Sequence, residues 1–340
     1  MSVGLLLSFI LASQVACRGY QANPAHRSQF TGAAFIGSDR AWLTTFADGG
    51  ILRTEDGGKS WIKVSIEGVR VDQVAFINEQ QGWAVSEGGK VWRTINGGHS
   101  WSPIGEVTAS TEARYLIAKQ MYFKDDKQGW IVDAFSVWCT TTGGLNWNRC
   151  FSPKGSDADE GWPQRYAHLN SEIAWVSASN GKAYRTRDGG RSWQKKEIAR
   201  EADFTAICFV DEQMGWLGGW PNGGIYHTTD GGETWQLQLA ESGGNKLAVD
   251  SLHFINRKEG WAVGRIWPAD PAHNKTRGLV LHTVDGGETW QAVEGRADEL
   301  FYSQVYFTDN RHGWLISRDN VYRTEDSGKS WLTVLKLPSI

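Results

Sequence analysis

The sequence predicts an all-β chain, a seven-bladed β-propeller with four antiparallel strands per blade. Three observations predict it. An octapeptide of the form T-x-D-G-G-x-S/T-W occurs seven times, a small residue followed by Trp precedes each copy, and Gly (40) and Trp (19) are abundant in 340 residues while Pro (8) is scarce. Units of about 40–45 residues holding four short strands each are the signature of propeller blades.

The octapeptides end at Trp61, Trp101, Trp147, Trp193, Trp235, Trp290 and Trp331, spaced 40 to 55 positions apart. The small-residue–Trp pairs carry Trp42, Trp83, Trp130, Trp175, Trp216, Trp261 and Trp314. Six or seven positions before each pair a hydrophobic run ends at Phe35, Phe76, Phe123, Leu169, Phe209, Phe254 or Phe307. In the second unit the four runs read V-D-Q-V-A-F, G-W-A-V, K-V-W-R-T and W-S-P-I. They do not alternate cleanly between apolar and polar residues, as expected of strands packed on both faces. Burying one large apolar side chain contributes roughly 1.5–3 kcal/mol, so the repeated tryptophans form the core between blades.

The octapeptide reads as the hairpin turn between the third and fourth strands. Asp56, Asn96, Asp188, Asp230, Asp285 and Asp326 are placed to accept hydrogen bonds from the turn, and the Gly-Gly that follows admits positive φ. A calcium loop is the competing reading, but calcium takes six to eight oxygens and each copy supplies one carboxylate. No metal and no cofactor is expected. The third unit departs, with Thr142 for Asp and Asn146 for Ser/Thr, and there Cys139 and Cys150 flank the turn. We expect them to form a cross-strand disulfide. Cys208, within A-I-C-F-V, is expected to be a buried thiol. The Arg before the octapeptide (Arg53, Arg93, Arg185, Arg323), alternating with His227 and His282, is expected on an edge strand, pairing with a neighbouring blade.

With 35 basic against 38 acidic residues and no basic block, nucleic acid is not an expected partner. Val3 to Ala16 is an apolar run shorter than the roughly 20 residues that span a bilayer, and it reads as a secretory signal. The expected organisation is a signal peptide over 1–17, a linker over 18–27 and a propeller over 28–340. Cys17 has two readings: the acylated cysteine of a lipoprotein, which would tether the chain to a membrane surface, or a residue beside a simple cleavage site. The chain is expected to be exported, periplasmic or lumenal, and a monomer.

The fuller pattern, F, then G-W-x-V, then R/H-T-x-D-G-G-x-T/S-W, contains the Asp-box or bacterial neuraminidase repeat. It resembles the photosystem II stability/assembly-factor family over essentially the whole mature chain. The resemblance implies a seven-bladed propeller in a plastid lumen or bacterial periplasm, and a non-enzymatic activity, binding a newly made membrane-protein subunit during assembly.

Consecutive antiparallel strands put the Asp-box turns on one face of the disc. The irregular connections, Gly105–Ala118, Phe151–Arg165, Gly219–Gly224 and Gly264–Gly278, fall on the other, where binding is expected. Three tryptophans outside the repeat, Trp162, Trp220 and Trp267, lie there with Arg265 and Arg277, and Arg70, Arg114 and Arg165 fall in blade-to-blade connections. Trp beside Arg is the composition of a protein-interaction hot spot; the alternative is that each Trp folds over its own loop as a lid.

Two classes of function stand beside a protein-binding scaffold. A glycoside hydrolase of the Asp-box type would need paired carboxylates across a cleft, and Asp157, Asp159, Glu160, Asp203 and Asp250 occupy suitable segments. A carbohydrate-binding propeller would use the loop tryptophans as stacking platforms. The scaffold is the reading adopted, with a protein client, such as a membrane-complex subunit, on the loop face.

Overall fold

The computed structural model describes residues 29–338 apart from 48, 67, 108–115, 154–159, 222–223, 241–244, 268–275 and 294–298. The expected signal, linker, Cys17, Arg114, Asp157 and Asp159 lie outside the described residues. Numbered in chain order, strands β1 to β28 form seven four-stranded antiparallel sheets, each of four consecutive strands. The chain is therefore a seven-bladed β-propeller. No helix among the described residues is long and apolar enough to cross a membrane.

The first strand of each blade lines a central channel of about 440 Å³. These are β1 (Phe30–Ile36), β5 (Val71–Phe76), β9 (Gln120–Phe123), β13 (Pro163–His168), β17 (Asp203–Phe209), β21 (Lys246–Phe254) and β25 (Tyr302–Phe307). Polar side chains lace neighbouring inner strands together. The Gln120 carboxamide bonds both the N–H and the C=O of Tyr166 (2.8 and 3.1 Å), and the Thr205 hydroxyl donates to the Val249 carbonyl (2.7 Å).

The apolar core is divided into seven clusters, one at each seam between blades. At five seams the same device recurs. The strand-two Trp of one blade stacks on the Phe of the next: Trp42 on Phe76 (3.7 Å), Trp83 on Phe123 (3.9 Å), Trp175 on Phe209 (3.6 Å), Trp216 on Phe254 (3.5 Å) and Trp261 on Phe307 (3.5 Å). The octapeptide Trp of that next blade meets the same Phe edge-on, as Trp290 meets Phe254 at 5.8 Å. The strand-two indole N–H then donates to a carbonyl in the next Asp-box, for example Trp42 to Gly97 (2.8 Å) and Trp216 to Gly286 (3.0 Å).

The other two seams are built differently, and one residue marks them. In each regular case the small residue before the Trp of the Phe-bearing blade is Gly, because the Phe ring lies where its Cβ would be: 2.6 Å at Gly82 and 2.3 Å at Gly260. Blades one and four carry Ala41 and Ala174 instead. Phe35 sits 5.5 Å from Trp314, tilted, and Leu169 replaces the Phe altogether. At these seams the octapeptide Trp reaches back to the preceding blade's outer strand, Trp61 to the Val334 carbonyl (2.9 Å) and Trp193 to the Cys150 carbonyl (3.0 Å).

Among the described residues the ring closes without strand exchange, each sheet using four consecutive strands. The Gln29 carboxamide donates to Asp319 (2.7 Å) and to the Pro338 carbonyl (2.9 Å), and its backbone N–H to the Arg318 carbonyl (2.9 Å).

The expectation for the repeated Arg needs correction. It stands on the third strand, not an edge, directly across from the strand-two Trp (Trp42↔Arg53, Trp83↔Arg93, Trp175↔Arg185, Trp314↔Arg323). The guanidinium groups of Arg93, Arg185 and Arg323 lie over that ring, Arg93 at 5.2 Å from Trp83, and His227 and His282 stack on Trp216 and Trp261 at the same position. Arg185 and Arg323 additionally reach the next blade, at Glu233 and Asp39 (each 3.0 Å). In the third blade the position facing Trp130 is Cys139. It is joined to Cys150 with Cα atoms 5.8 Å apart.

The Asp-box works as a closed set of hydrogen bonds. In the first blade Asp56 Oδ1 accepts from the Thr54 hydroxyl (2.8 Å) and the Ser60 N–H (2.9 Å), and Oδ2 from the Ser60 hydroxyl (2.6 Å). Asp188, Asp230, Asp285 and Asp326 repeat this, and Asn96 does so with a donated bond to Ser100. In the third blade the Thr142 hydroxyl replaces only the Oδ1 role, accepting from the Asn146 N–H (3.0 Å).

Candidate functional site

The irregular connections join the second strand of a blade to its third, or one blade to the next, so they open on the face opposite the Asp-boxes. Inner strands start on that face, and their first residues surround the channel mouth there. Two groups of side chains gather at it.

The first group lies at blades five and six. The ladder of the sixth blade runs farther than the sequence suggests, pairing Arg265 with Gly278 and Ile266 with Arg277. Arg265 and Trp267 therefore sit on a strand, β22 (Gly260–Trp267), and Trp220 ends β18 (Gly215–Trp220). The rings of Trp220 and Trp267 pack 5.9 Å apart. The Arg265 guanidinium lies 5.7 Å from the Trp267 ring and 5.0 Å from Phe301, and grips Asp250 with bonds of 3.0–3.2 Å. Burial raises the Asp250 carboxyl above its ordinary range, opposed by Arg265 and then Arg165.

The second group lies at the seam of blades three and four. Lys119, just before β9, donates to the Pro163 carbonyl and to Gln164 Oε1 (both 3.0 Å). Arg165 on β13 donates to the Gln164 carbonyl (3.0 Å) and faces the channel. Burial, followed by the charge of Arg165, lowers the Lys119 ammonium to about 8, and burial lowers Arg165 as well. Beside them Trp162 meets Phe135 edge-on at 5.1 Å, and Phe135 is 40% exposed.

The remaining candidates stand apart. Arg70 lies over the Phe46 ring at 4.2 Å, near Asp72 and Glu87 (3.7 and 3.8 Å). Arg277 is exposed at the start of β23 (Arg277–Thr283). Glu160 is paired with Lys195 (3.0 Å), and Asp203 accepts the Asn180 N–H (3.1 Å). Cys208 is a free thiol pushed by burial up to about 11. Lys119, Phe135 and Phe301 were not singled out in the sequence. The signal for Lys119 was available: like Arg165 and Asp203 it falls next to the start of a unit's first strand, the strand that lines the axis.

A family model described as Photosynthesis system II assembly factor YCF48 matches residues 60–200 and 191–331. The chain belongs to that family. Among solved structures, "YCF48 bound to D1 peptide" is 16% identical with a TM-score of 0.65, covering 90% of this chain and 98% of that one. YCF48 from Cyanidioschyzon merolae is 18% identical with a TM-score of 0.66, covering 90% and 97%. The GH74 xyloglucanase from Xanthomonas campestris gives a TM-score of 0.72 at 13% identity, covering 91% of this chain and 55% of its own. At such identities these likenesses are likenesses of fold. No curated protein matches in sequence.

Proposed function

We propose that this YCF48-family chain is an exported, non-enzymatic scaffold that holds a protein client on the face carrying the irregular connections. One observation carries the reading: side chains outside the repeat, the half-buried Trp220, Trp267 and Arg265, pack together on that face, and Arg265 grips the channel-lining Asp250. Rigid aromatics beside a guanidinium supply contact area at low entropic cost, as interaction hot spots do. A relative in the same family is named as bound to D1 peptide, which supports a protein client and, more finely, a membrane-complex subunit. Export follows from the apolar run before Cys17, with Cys17 as the lipid attachment point or the residue beside cleavage.

Glycoside hydrolysis is the less favoured reading because the carboxylates at the mouth are engaged. Asp250 is held by Arg265, and Asp133 accepts from the N–H groups of Phe135 and Ser136 (both 2.6 Å) and from the Trp138 indole (2.7 Å). The test is affinity capture from the native cell with the wild-type chain and with Trp220→Ala/Trp267→Ala. The double variant is expected to lose at least tenfold in client recovery while melting within a few degrees of wild type. Equal loss of stability and recovery would reassign the pair as lids, and turnover of xyloglucan by the wild type would overturn the non-enzymatic reading.

A further inference from the structure

We propose that the channel mouth at the seam of blades three and four is a binding site for a carboxylate, gripped between the Lys119 ammonium and the Arg165 guanidinium. Both cations line the central channel. Lys119 is pinned across the seam by the Pro163 carbonyl and Gln164 Oε1, which holds it beside Arg165. Among the described residues no ion pair joins either cation to a carboxylate; their hydrogen bonds go to carbonyl and carboxamide oxygens. The acids around them are spent. Asp250 is taken by Arg265 at 3.0 Å, Asp133 by two backbone amides and the Trp138 indole, and Asp203 accepts from Asn180.

Two like charges placed together in a partly desolvated channel disfavour each other, and an anion between them removes that cost. The donor count favours a carboxylate over a phosphate dianion. Two of the three Lys119 N–H groups are used, leaving one, and the Arg165 fork supplies the second contact, which matches two oxygens. Asp250, close enough to act on Arg165, opposes a second negative charge. The charged groups acting on Lys119 are Arg165, Asp133 and Asp203, with burial the larger influence, so the ammonium loses its proton near pH 8 and the grip weakens above it.

The site stands apart from the client reading, which enters only as one source of the carboxylate; the other is a free small acid. The test is NMR of the full chain with 13C-labelled lysine, the Lys119 signal being assigned by its loss in Lys119→Met. The probes are sodium acetate, the tripeptide Ac-Gly-Leu-Ala as free acid, and its amide, at constant ionic strength in chloride. A saturable Lys119 shift with acetate is expected, at least tenfold weaker in Arg165→Gln and at least tenfold weaker at pH 9.5 than at 6.5. The pH comparison uses the wild type, so it holds if Arg165→Gln fails to fold. Tighter binding of the tripeptide acid than of acetate or the amide assigns the carboxylate to a peptide; equal affinity for acetate and tripeptide acid assigns it to a free acid, and the site survives without a client there. No saturable shift, the same shift with chloride alone, or binding unchanged between the two pH values would overturn the proposal.

Discussion

At the scale of single residues, the Asp-box carboxylates tie the fold to pH. Asp56, Asp188 and Asp285 are held at about 2 rather than 3.8, first by the hydroxyls of Ser60, Ser192 and Thr289, then by the N–H of the same residues and the hydroxyl of the preceding Thr. A carboxyl with a lowered folded-state pKa stabilises the fold fully above its unfolded value and stops doing so as pH falls through its folded value. The urea midpoint is therefore expected to fall between pH 4 and pH 2. A triple Asp→Asn variant at 56, 188 and 285 should show a smaller fall, and an equal slope in both proteins would remove the Asp-boxes as its cause. Asn96 shows that a carboxamide fits the turn, donating to Ser100 where a carboxylate would accept (2.8 Å).

The same scale shows what could be read from the sequence and what could not. The Asp-box aspartates were legible because a turn whose donors are local announces its acceptor. For the repeated Arg the reach to a neighbouring blade was legible, as Arg185 and Arg323 show, but its place over the Trp ring was not, because the cross-strand position opposite Trp depends on register. Lys119 was not legible from the loop composition or the repeat, because it lies between the irregular connection and the start of the inner strand β9, a position that neither marks.

At the scale of elements, the seams carry the energetics. Adding a Cβ at Gly260 places it 2.3 Å from the Phe254 ring, which stacks on Trp216. Gly260→Ala is expected to destabilise by about 1–3 kcal/mol through overpacking, whereas Ala174→Gly, beside Leu169, should cost less, about 1 kcal/mol or under. Similar losses for both would break the link between that glycine and the stack. The third blade bonds its third and fourth strands covalently beside one of the two seams that lack the Trp-on-Phe stack. Its Cys139–Cys150 loop has a sequence separation of 11, and closing a loop of that size is worth about 3 kcal/mol in the chain-entropy view. The Cys139→Ser/Cys150→Ser variant is expected to lose that much in urea titration; an unchanged midpoint would show the bond to be idle.

At the scale of the whole molecule, the architecture was legible because seven copies of one motif leave little choice: each unit needs a neighbour on both sides to bury its tryptophans. The face of the irregular connections was legible only as a topological consequence. Which of its residues converge was not, because Trp220 and Trp267 belong to different blades and meet only once the ring is closed to its actual curvature. Likewise Arg165 reads as a surface connection in the sequence and lies in the channel in the fold.

The direct measurement of where a client sits is site-specific photo-crosslinking in the native cell. A benzophenone side chain is placed at Phe135, 40% exposed on the face of the irregular connections, or at Ile95, 71% exposed in an Asp-box turn on the other face. Crosslinks to a client from position 135 and none from position 95 are expected. Crosslinks from position 95 alone, or equally from both, would contradict binding on the irregular face.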